Sequence, residues 1–502
     1  MGVFMKRYIS IMLVVLMLNS MCLLSFSATA AELDPTAMSS GENSDTETIT
    51  VPQIYITTAD GNGTLLQKED DYVEASITIK DTDSSVITDN IQFKVRGNST
   101  AAPSVTKKAF TFKFESKKNV LNMGKAKKWA LLANAFDPTL MRNYIAFDFA
   151  QKMELDFTSQ QRFVELWLDG SYRGCYVLTE PVEEGSTRVD IDIDSNNGMK
   201  DFLIELEADR VEEEVSYFSA GEMRFAVKEP EEPNDEQLAY ISSTMNDILN
   251  IIKKGDQEEI SKKIDIQSFT RYYLLNELVK TLDFGYSSVF FYYKDDILYC
   301  GPVWDYDLAA GNVTSSYSEA SKSAADPNGL YAAYRNFYRH LTAYSWFVSE
   351  IRATCVQYYD YIYNITAKGG LMDTLIDTYG DVFDRNYNEA GWSPSTQWST
   401  LQMTPFATFS ENVEFLREWI YNRGVWLRNH YDLYRTAGLC GDSNSDRTIS
   451  IMDATLIQMH LAEIMKLDGK GLLCGDSDRN GALTIVDATR IQLFLVHKIQ
   501  SL

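Results

Sequence analysis

From Ile49 the chain mixes β-branched and aromatic residues with polar ones in short runs. Val51–Thr57, Tyr72–Ile79, Ile91–Arg96, Ala109–Glu115 and Lys128–Ala133 predict strands. Phe163–Leu168 and Tyr172–Leu178, joined by Asp169-Gly170, predict a hairpin. Phe202–Leu206 and Met223–Val227 predict further strands. The apolar period lengthens to that of a helix over Pro138–Met153, Asp235–Lys253 and Asp265–Leu282. The last carries an apolar face of Phe269, Tyr272, Tyr273, Leu275, Leu278 and Val279. Two aromatic runs, Ser288–Tyr293 and Ile297–Trp304, flank Lys294-Asp295-Asp296 and read as a second hairpin. Beyond a polar loop to Leu330 the pattern is helical: Tyr331–Tyr344, Trp346–Tyr363, Leu371–Phe383 and Glu411–Tyr431. Strands first and helices after predict an α+β, two-lobed domain. The tryptophans of this helical region (Trp346, Trp392, Trp398, Trp419, Trp426) are expected to pack helices rather than to form a sugar platform.

The two ends differ from this middle. Residues 1–31 have a basic start (Lys6, Arg7), an apolar stretch and a small-residue site at Ala28-Thr29-Ala30, the pattern of a secretory signal peptide. Residues 32–48 are polar and aperiodic, and are expected to form a flexible leader. No other stretch is long and apolar enough for a membrane span. The expectation is a secreted, extracellular, soluble protein. Of 502 residues 45% are hydrophobic, enough for a sizeable core. The formal charge of −25 argues against a nucleic-acid partner, which needs clustered Lys and Arg. Five cysteines follow the signal (Cys175, Cys300, Cys355, Cys440, Cys474), too few and odd in number for a disulfide framework. Cys440 and Cys474 hold equivalent places in a repeat, so a bridge or two thiols are both open there.

Candidate chemistry gathers around the second hairpin. Asp283 precedes it, and Asp305 and Asp307 follow it in Trp-Asp-Tyr-Asp. A hairpin returns its ends to one place, so these carboxylates can converge on a divalent cation carrying a phosphate chain. Protein kinases order the same parts along the chain as base Asp, hairpin, metal-binding Asp. A local basic run, Lys107, Lys108, Lys113, Lys117, Lys118, Lys125, Lys127 and Lys128, suits a polyphosphate, though any one of these lysines could simply be solvated.

Several blocks carry a family resemblance: VRGNST (95–100), KKWALLANAFDPTLMRN (127–143), ELWLDGSYRGCYVLTE (165–180), FTRYYLLNELVKTLD (269–283) and GPVWDYDLAAGN (301–312). Over roughly residues 50–345 the chain resembles the CotH kinase family, the atypical kinases related to spore coat protein H. The domain is expected over 49–345, with a helical extension over 346–436. The resemblance implies a kinase-like fold binding ATP and Mg²⁺ and passing the γ-phosphate to Ser or Thr of a protein. On that reading Asp283 is the catalytic-loop Asp, Asp305 the metal-binding Asp, and Asp307 an alternative or second ligand. Arg96 and Asn98 lie over the phosphates, and Lys113 contacts them. Where a protein kinase places a metal-binding Asn after the catalytic Asp, this chain has Ser287 and Ser288; a hydroxyl at Ser288 is the substitute ligand.

Near the C-terminus a segment repeats with an offset of 34 residues, Cys440-Gly441-Asp442 returning as Cys474-Gly475-Asp476. Each copy reads as a twelve-residue calcium loop followed by a helix. The first set is Asp442, Asn444, Asp446, Thr448 (through its carbonyl), Ser450 and Asp453. The second is Asp476, Asp478, Asn480, Ala482 (carbonyl), Thr484 and Asp487. Gly481 supplies the sharp turn in the second loop, whereas Arg447 occupies that place in the first, which predicts a weaker first site. No helical pattern leads into either loop, which argues against an ordinary EF-hand. Residues 437–502 resemble a type I dockerin, a small all-α module with two calcium-binding F-hand loops. The resemblance implies two Ca²⁺ ions, attachment to the cohesin of a scaffoldin, and a place in a cellulosome. Ile451, Met452, Ile485 and Val486 would face the cohesin, unless they are core.

Two other classes compete with an exported kinase. One is a kinase-like scaffold without catalysis, which the missing Asn favours. The other is an accessory carbohydrate-active component of polysaccharide catabolism, which would need two carboxylates across a sugar cleft.

Overall fold

Seven strands close into a barrel in the computed structural model, which describes residues 50–193, 200–208, 210–393 and 401–502. The expected signal over 1–31, the expected leader over 32–48 and Trp398 lie outside the described residues. The strands are β1 (Gln53–Thr58), β2 (Val73–Lys80), β3 (Val86–Arg96), β4 (Ala109–Asn119), β5 (Lys125–Leu132), β6 (Gln161–Leu168) and β7 (Ser171–Thr179). Their order round the barrel is β1-β2-β3-β4-β5-β7-β6, closed by parallel pairing of β1 with β6. Alternation decides what fills it. Ile91, Phe93 and Val95 of β3 and Phe110, Phe112 and Phe114 of β4 are buried, with Phe93 stacked on Phe110 at 4.8 Å. Each such ring contributes roughly 1.5–3 kcal/mol of burial. The intervening positions put Gln92, Lys113 and Lys128 in one register row on the opposite face.

A second sheet has the order β12-β11-β8-β10-β9, built from β8 (Phe202–Leu206), β9 (Tyr217–Ala220), β10 (Met223–Glu229), β11 (Val289–Lys294) and β12 (Ile297–Cys300). The β11–β12 hairpin forms as the pattern predicts, turning on Asp295 and Asp296, both at positive φ. Strand β12 ends at Cys300 and not at Trp304, so Trp304 to Asp307 run as irregular chain. Strand β9, at four residues, is too short to be read from its sequence.

The helices that matter are α1 (Arg142–Lys152), α2 (Asp235–Lys254), α3 (Ile266–Val279), α4 (Ser345–Gln357), α5 (Leu371–Asn388) and α6 (Phe409–His430). Three expectations change here. The helix over Asp265–Leu282 stops at Val279, because Lys280 takes a left-handed conformation before a 3-10 turn over Leu282–Gly285. Tyr331–Tyr344 is mostly loop: the Glu277 carboxylate takes the amides of Tyr331 and Ala333, at 2.7 and 3.2 Å, and only Tyr338–Leu341 is α-helical. Trp346–Tyr363 breaks at Tyr358, and its halves pack on different partners, α4 on α3 and Tyr359–Thr366 on α6. Helix α5 is tied to the barrel by Arg385 on Glu165 at 2.8 Å.

At the C-terminus stand α7 (Ile451–Leu461), α8 (Gly469–Gly475) and α9 (Ile485–Leu495). Helix α7 packs on α9, and α8 packs on α4 and on the Tyr359–Thr366 helix. Helix α8 leads directly into the second repeat loop, so the expectation that no helix precedes the loops fails for that copy. Its glycine-rich sequence, with Gly469, Gly471 and Gly475, hid it: Gly469 lies against the backbone of Val356 and Asp360, where no side chain fits. Cys440 and Cys474 are free thiols.

Candidate functional site

Three of the sequence blocks meet around Trp304–Asn312. From the 269–283 block, Leu282 donates its amide to Leu308 at 3.2 Å, and Val279 accepts from the amide of Ala310 at 2.6 Å. From the 127–143 block, the Asn143 side chain accepts the amide of Tyr306 at 2.8 Å, and Arg142 Nε donates to the Ala309 carbonyl at 2.9 Å. Arg142 is itself held by Asp137 at 2.6 Å, a pair with almost no exposure. Asn312 closes the set, donating to the carbonyls of Phe136 and Asp307, each at 2.7 Å. Gly311 has φ +77°, and a Cβ there would strike Trp419. Most residues of these motifs therefore brace the backbone, and few remain for chemistry.

Those few are the aspartates. Asp283 and Asp305 keep part of their surface open, and Asp307 is buried. Asp305 sits at φ +62°, in the left-handed region, at a cost on the order of 1 kcal/mol. The Asp307 side chain and amide both hydrogen-bond to the Asp305 carboxylate. Burial, then the Asp305 charge, pushes the Asp283 carboxyl up to about 8. Burial also raises Asp305, and burial followed by the Asp305 and Asp283 charges raises Asp307 well above the carboxylate range. Like charges held together in a poorly solvated place are unfavourable until a cation joins them. The set is nonetheless open: among the described residues, only Asp476, Asp478 and Asp487 bring three carboxylates within 4.8 Å of one another.

Arg96, at the end of β3, stacks on the Trp304 ring at 4.9 Å. Burial works against its charge, the Asp305 carboxylate is the largest influence in favour of it, and its buried Nη1 has no partner. Trp304 in turn packs on an apolar cluster of Val189, Ile191, Leu203, Phe290 and Tyr292. Arg210, which the sequence did not single out, favours the charged forms of both Asp283 and Asp305. Its amide donates to Glu207 at 3.0 Å, and Glu207 disfavours the Asp283 charge. The visible signal was the run Glu205-Leu206-Glu207, two carboxylates at the end of an otherwise apolar strand. Glu205 is pushed up to about 7 by burial, against the pull of Lys228 at 3.5 Å.

The other expected residues are placed less centrally. Asn98 is exposed and accepts from Lys68. Lys113 is exposed on the outer face of β4. In the same row, half-buried Lys128 is lowered first by burial and then by Arg96, and pairs with Glu183 at 3.2 Å. Ser288, at φ +59°, is held through its amide by Glu205 at 3.1 Å, and Ser287 donates its amide to the Asp283 carbonyl at 3.0 Å.

In each C-terminal repeat the carboxylates take up amides of their own segment. Asp442 accepts the amides of Asp446 and Arg447 at 3.1 and 2.8 Å; Asp476 accepts those of Asn480 and Gly481 at 3.1 and 2.8 Å. Asp453 and Asp487 each fold back onto the opening turn of their loop, at Asn444 and at Ser477. Arg447 is forced to φ +70° where Gly481 sits at +94°, the strain expected of the first loop. Thr448 and Ala482 donate their amides within the loops, to Asp446 and Asn480. Ser450 and Thr484 cap α7 and α9, accepting from Met452 and Val486. Within the second loop, Asp478 accepts from Asn480.

Comparison with protein families matches residues 93–427 to the family described as CotH kinase protein. The match begins within β3 and ends inside α6, so it covers most of both the 49–345 and 346–436 regions. A comparison with curated proteins finds no match.

Proposed function

The chain belongs to the CotH kinase protein family, and from that premise we propose that it is an ATP- and Mg²⁺-dependent atypical kinase acting on Ser or Thr of a protein. The convergence of Asp283, Asp305 and Asp307 beside Arg96 carries this reading. The donor set fits a hard divalent cation: oxygen ligands, few in number, with like charges awaiting a counter-charge. Asp305 and Asp307 would hold the metal, which supplies charge neutralisation for a transferring phosphoryl group. Asp283 would orient and deprotonate an acceptor hydroxyl. The free Nη1 of Arg96 supplies a phosphate contact, and the Trp304 cluster a flat apolar wall for a base.

The test is calorimetric titration of Mg²⁺-ATP together with radiolabel transfer. An Asp283→Ala, Asp305→Ala double variant that labels like the wild type would remove the idea. One observation favours a non-catalytic, kinase-like binding module instead. The position of the second metal ligand carries serines, and the Ser288 backbone is fixed by Glu205. That reading expects no heat with Mg²⁺-ATP.

For residues 437–502 we infer a type I dockerin holding two Ca²⁺ ions and attaching the secreted chain to a scaffoldin cohesin of a cellulosome. The oxygens of Asp476, Asp478 and Asp487 within 4.8 Å support a calcium site in the second loop. Ile451, Met452, Ile485 and Val486 are 61%, 53%, 55% and 52% exposed, an unpartnered apolar face at the starts of α7 and α9.

A further inference from the structure

The second repeat loop differs from the first in what touches it from outside. Tyr434 Oη hydrogen-bonds to Asp476 Oδ2. The Tyr434 ring lies between two guanidinium groups, Arg428 at 5.1 Å and Arg479 at 5.6 Å. Arg428, on the last turn of α6, is almost fully buried, donates to Tyr359 Oη at 3.1 Å, and stands 4.0 Å from Asp476. Its guanidinium presses on Gly481 so closely that a Cβ there would clash. Among the described residues the first loop has none of this: Asp442 hydrogen-bonds within its own loop and to Leu439.

We propose that the second calcium loop is also the joint fixing the C-terminal module to the kinase-like domain, so that calcium there and domain packing reinforce each other. The inference rests on the calcium reading above. Its sign follows from the geometry of one carboxylate. Asp476 Oδ2 accepts from Tyr434, outside the loop, and from the Gly481 amide, while Oδ1 accepts the Asn480 amide, which also reaches Asp478 Oδ1. A calcium ion on Oδ1 selects the same side-chain orientation that Tyr434 needs, and two ligands that select one conformer bind cooperatively. The Arg428 charge works against calcium, so the coupling rests on the Tyr434 contact. The strained first loop, without such contacts, is left outside the coupling.

The test uses the full chain. Calcium titration by calorimetry is combined with trypsin digestion at Arg435, exposed on the short helix Leu433–Ala437 between the two parts. Wild type is expected to resist cleavage in calcium and to be cut at least about fivefold faster after chelation. Tyr434→Phe, which removes one hydroxyl and no charge, is expected to be cut quickly even in calcium. Asp442→Ala, in the first loop, is expected to keep the protection. Equal cleavage of wild type with and without calcium, or full protection of Tyr434→Phe by calcium, overturns the proposal. A flat calorimetric titration overturns the calcium reading itself, and the coupling with it.

Discussion

Leu282 donates its amide to the carbonyl of Leu308 at 3.2 Å, and this one bond sets Asp283 beside the Asp305–Asp307 turn. The arrangement is costly without a cation, because burial raises all three carboxyls and the Asp305 charge adds to the rise at Asp283 and Asp307. Function and stability should therefore move in opposite directions. Asp305→Asn is expected to stabilise the nucleotide-free chain by about 0.5–2 kcal/mol while removing Mg²⁺-dependent nucleotide binding. Chemical denaturation and calorimetry of the same variant check both signs; a destabilised variant that still binds Mg²⁺-ATP would contradict the assigned role.

Arg96 is expected to act in binding. Arg96→Met keeps much of the packing on Trp304 and removes the charge beside Asp305. The affinity for Mg²⁺-ATP should fall by about tenfold or more, the worth of one charge-assisted contact. Folding should be nearly unchanged. Titration calorimetry reads the first, a thermal melt the second.

The strands and the hairpin were legible because alternation and an Asp-Asp turn are local signals. Asp283, Asp305 and Asp307 were legible because a hairpin turns sequence spacing into proximity. Closure of the barrel was not, since pairing of Tyr55 with Trp167 joins strands more than a hundred residues apart and leaves no periodic trace. Nor was Arg210, which reaches the aspartates from a turn after β8. Lys113 illustrates the limit of reasoning by residue type: a lysine run marks a basic face, but Lys113 is exposed on β4, whereas half-buried Lys128 feels the Arg96 charge. The end of α3 was misjudged because the apolar pattern continues through Leu282 although the backbone breaks at Lys280.

The break at Lys280 is held by a polar cluster whose loss should be severe. Arg423 and Glu277 form an ion pair with no exposed side-chain surface. Arg423 also donates to the carbonyls of Glu277, Pro327 and Gly329, at 2.9, 3.0 and 2.8 Å. Arg423→Leu leaves the Glu277 carboxylate and those carbonyls without this donor. A loss of about 3–5 kcal/mol is expected, read by urea unfolding. Arg423→Lys should rescue little, since one ammonium cannot replace the forked donors.

The apolar pairs on α7 and α9 separate attachment from folding. An Ile451→Asp, Ile485→Asp double variant should weaken cohesin binding by about 2 kcal/mol or more. Its calcium titration and helix content should match wild type, because both side chains are more than half exposed. Surface plasmon resonance against a cohesin reads the first effect. Unchanged binding would mean that this face is not the docking surface.

Lys107 gives the chain a pH signature away from the aspartates. It is buried between the barrel and α5, with Nζ donating to the Cys175 carbonyl at 2.7 Å and to Asn386 at 2.8 Å, and lying over the Tyr176 ring at 4.9 Å. Burial lowers its pKa from the ordinary 10.5 to about 7, with Arg173 nearby adding to the lowering and Cys175 opposing it. Below about pH 7 both folded and unfolded chains carry the proton, and this group adds no slope. Between about 7 and 10.5 the unfolded chain holds a proton the folded chain has released, so folding gains stability as pH rises. At ~1.4 kcal/mol per unit the full gain is on the order of 5 kcal/mol. Lys107→Met removes this group's dependence. The stability difference between wild type and variant should therefore drift in favour of wild type from pH 7 to pH 10, about the window set by those two values. Denaturation at matched ionic strength measures that drift, and a constant difference would mean that Lys107 keeps its proton in the folded chain.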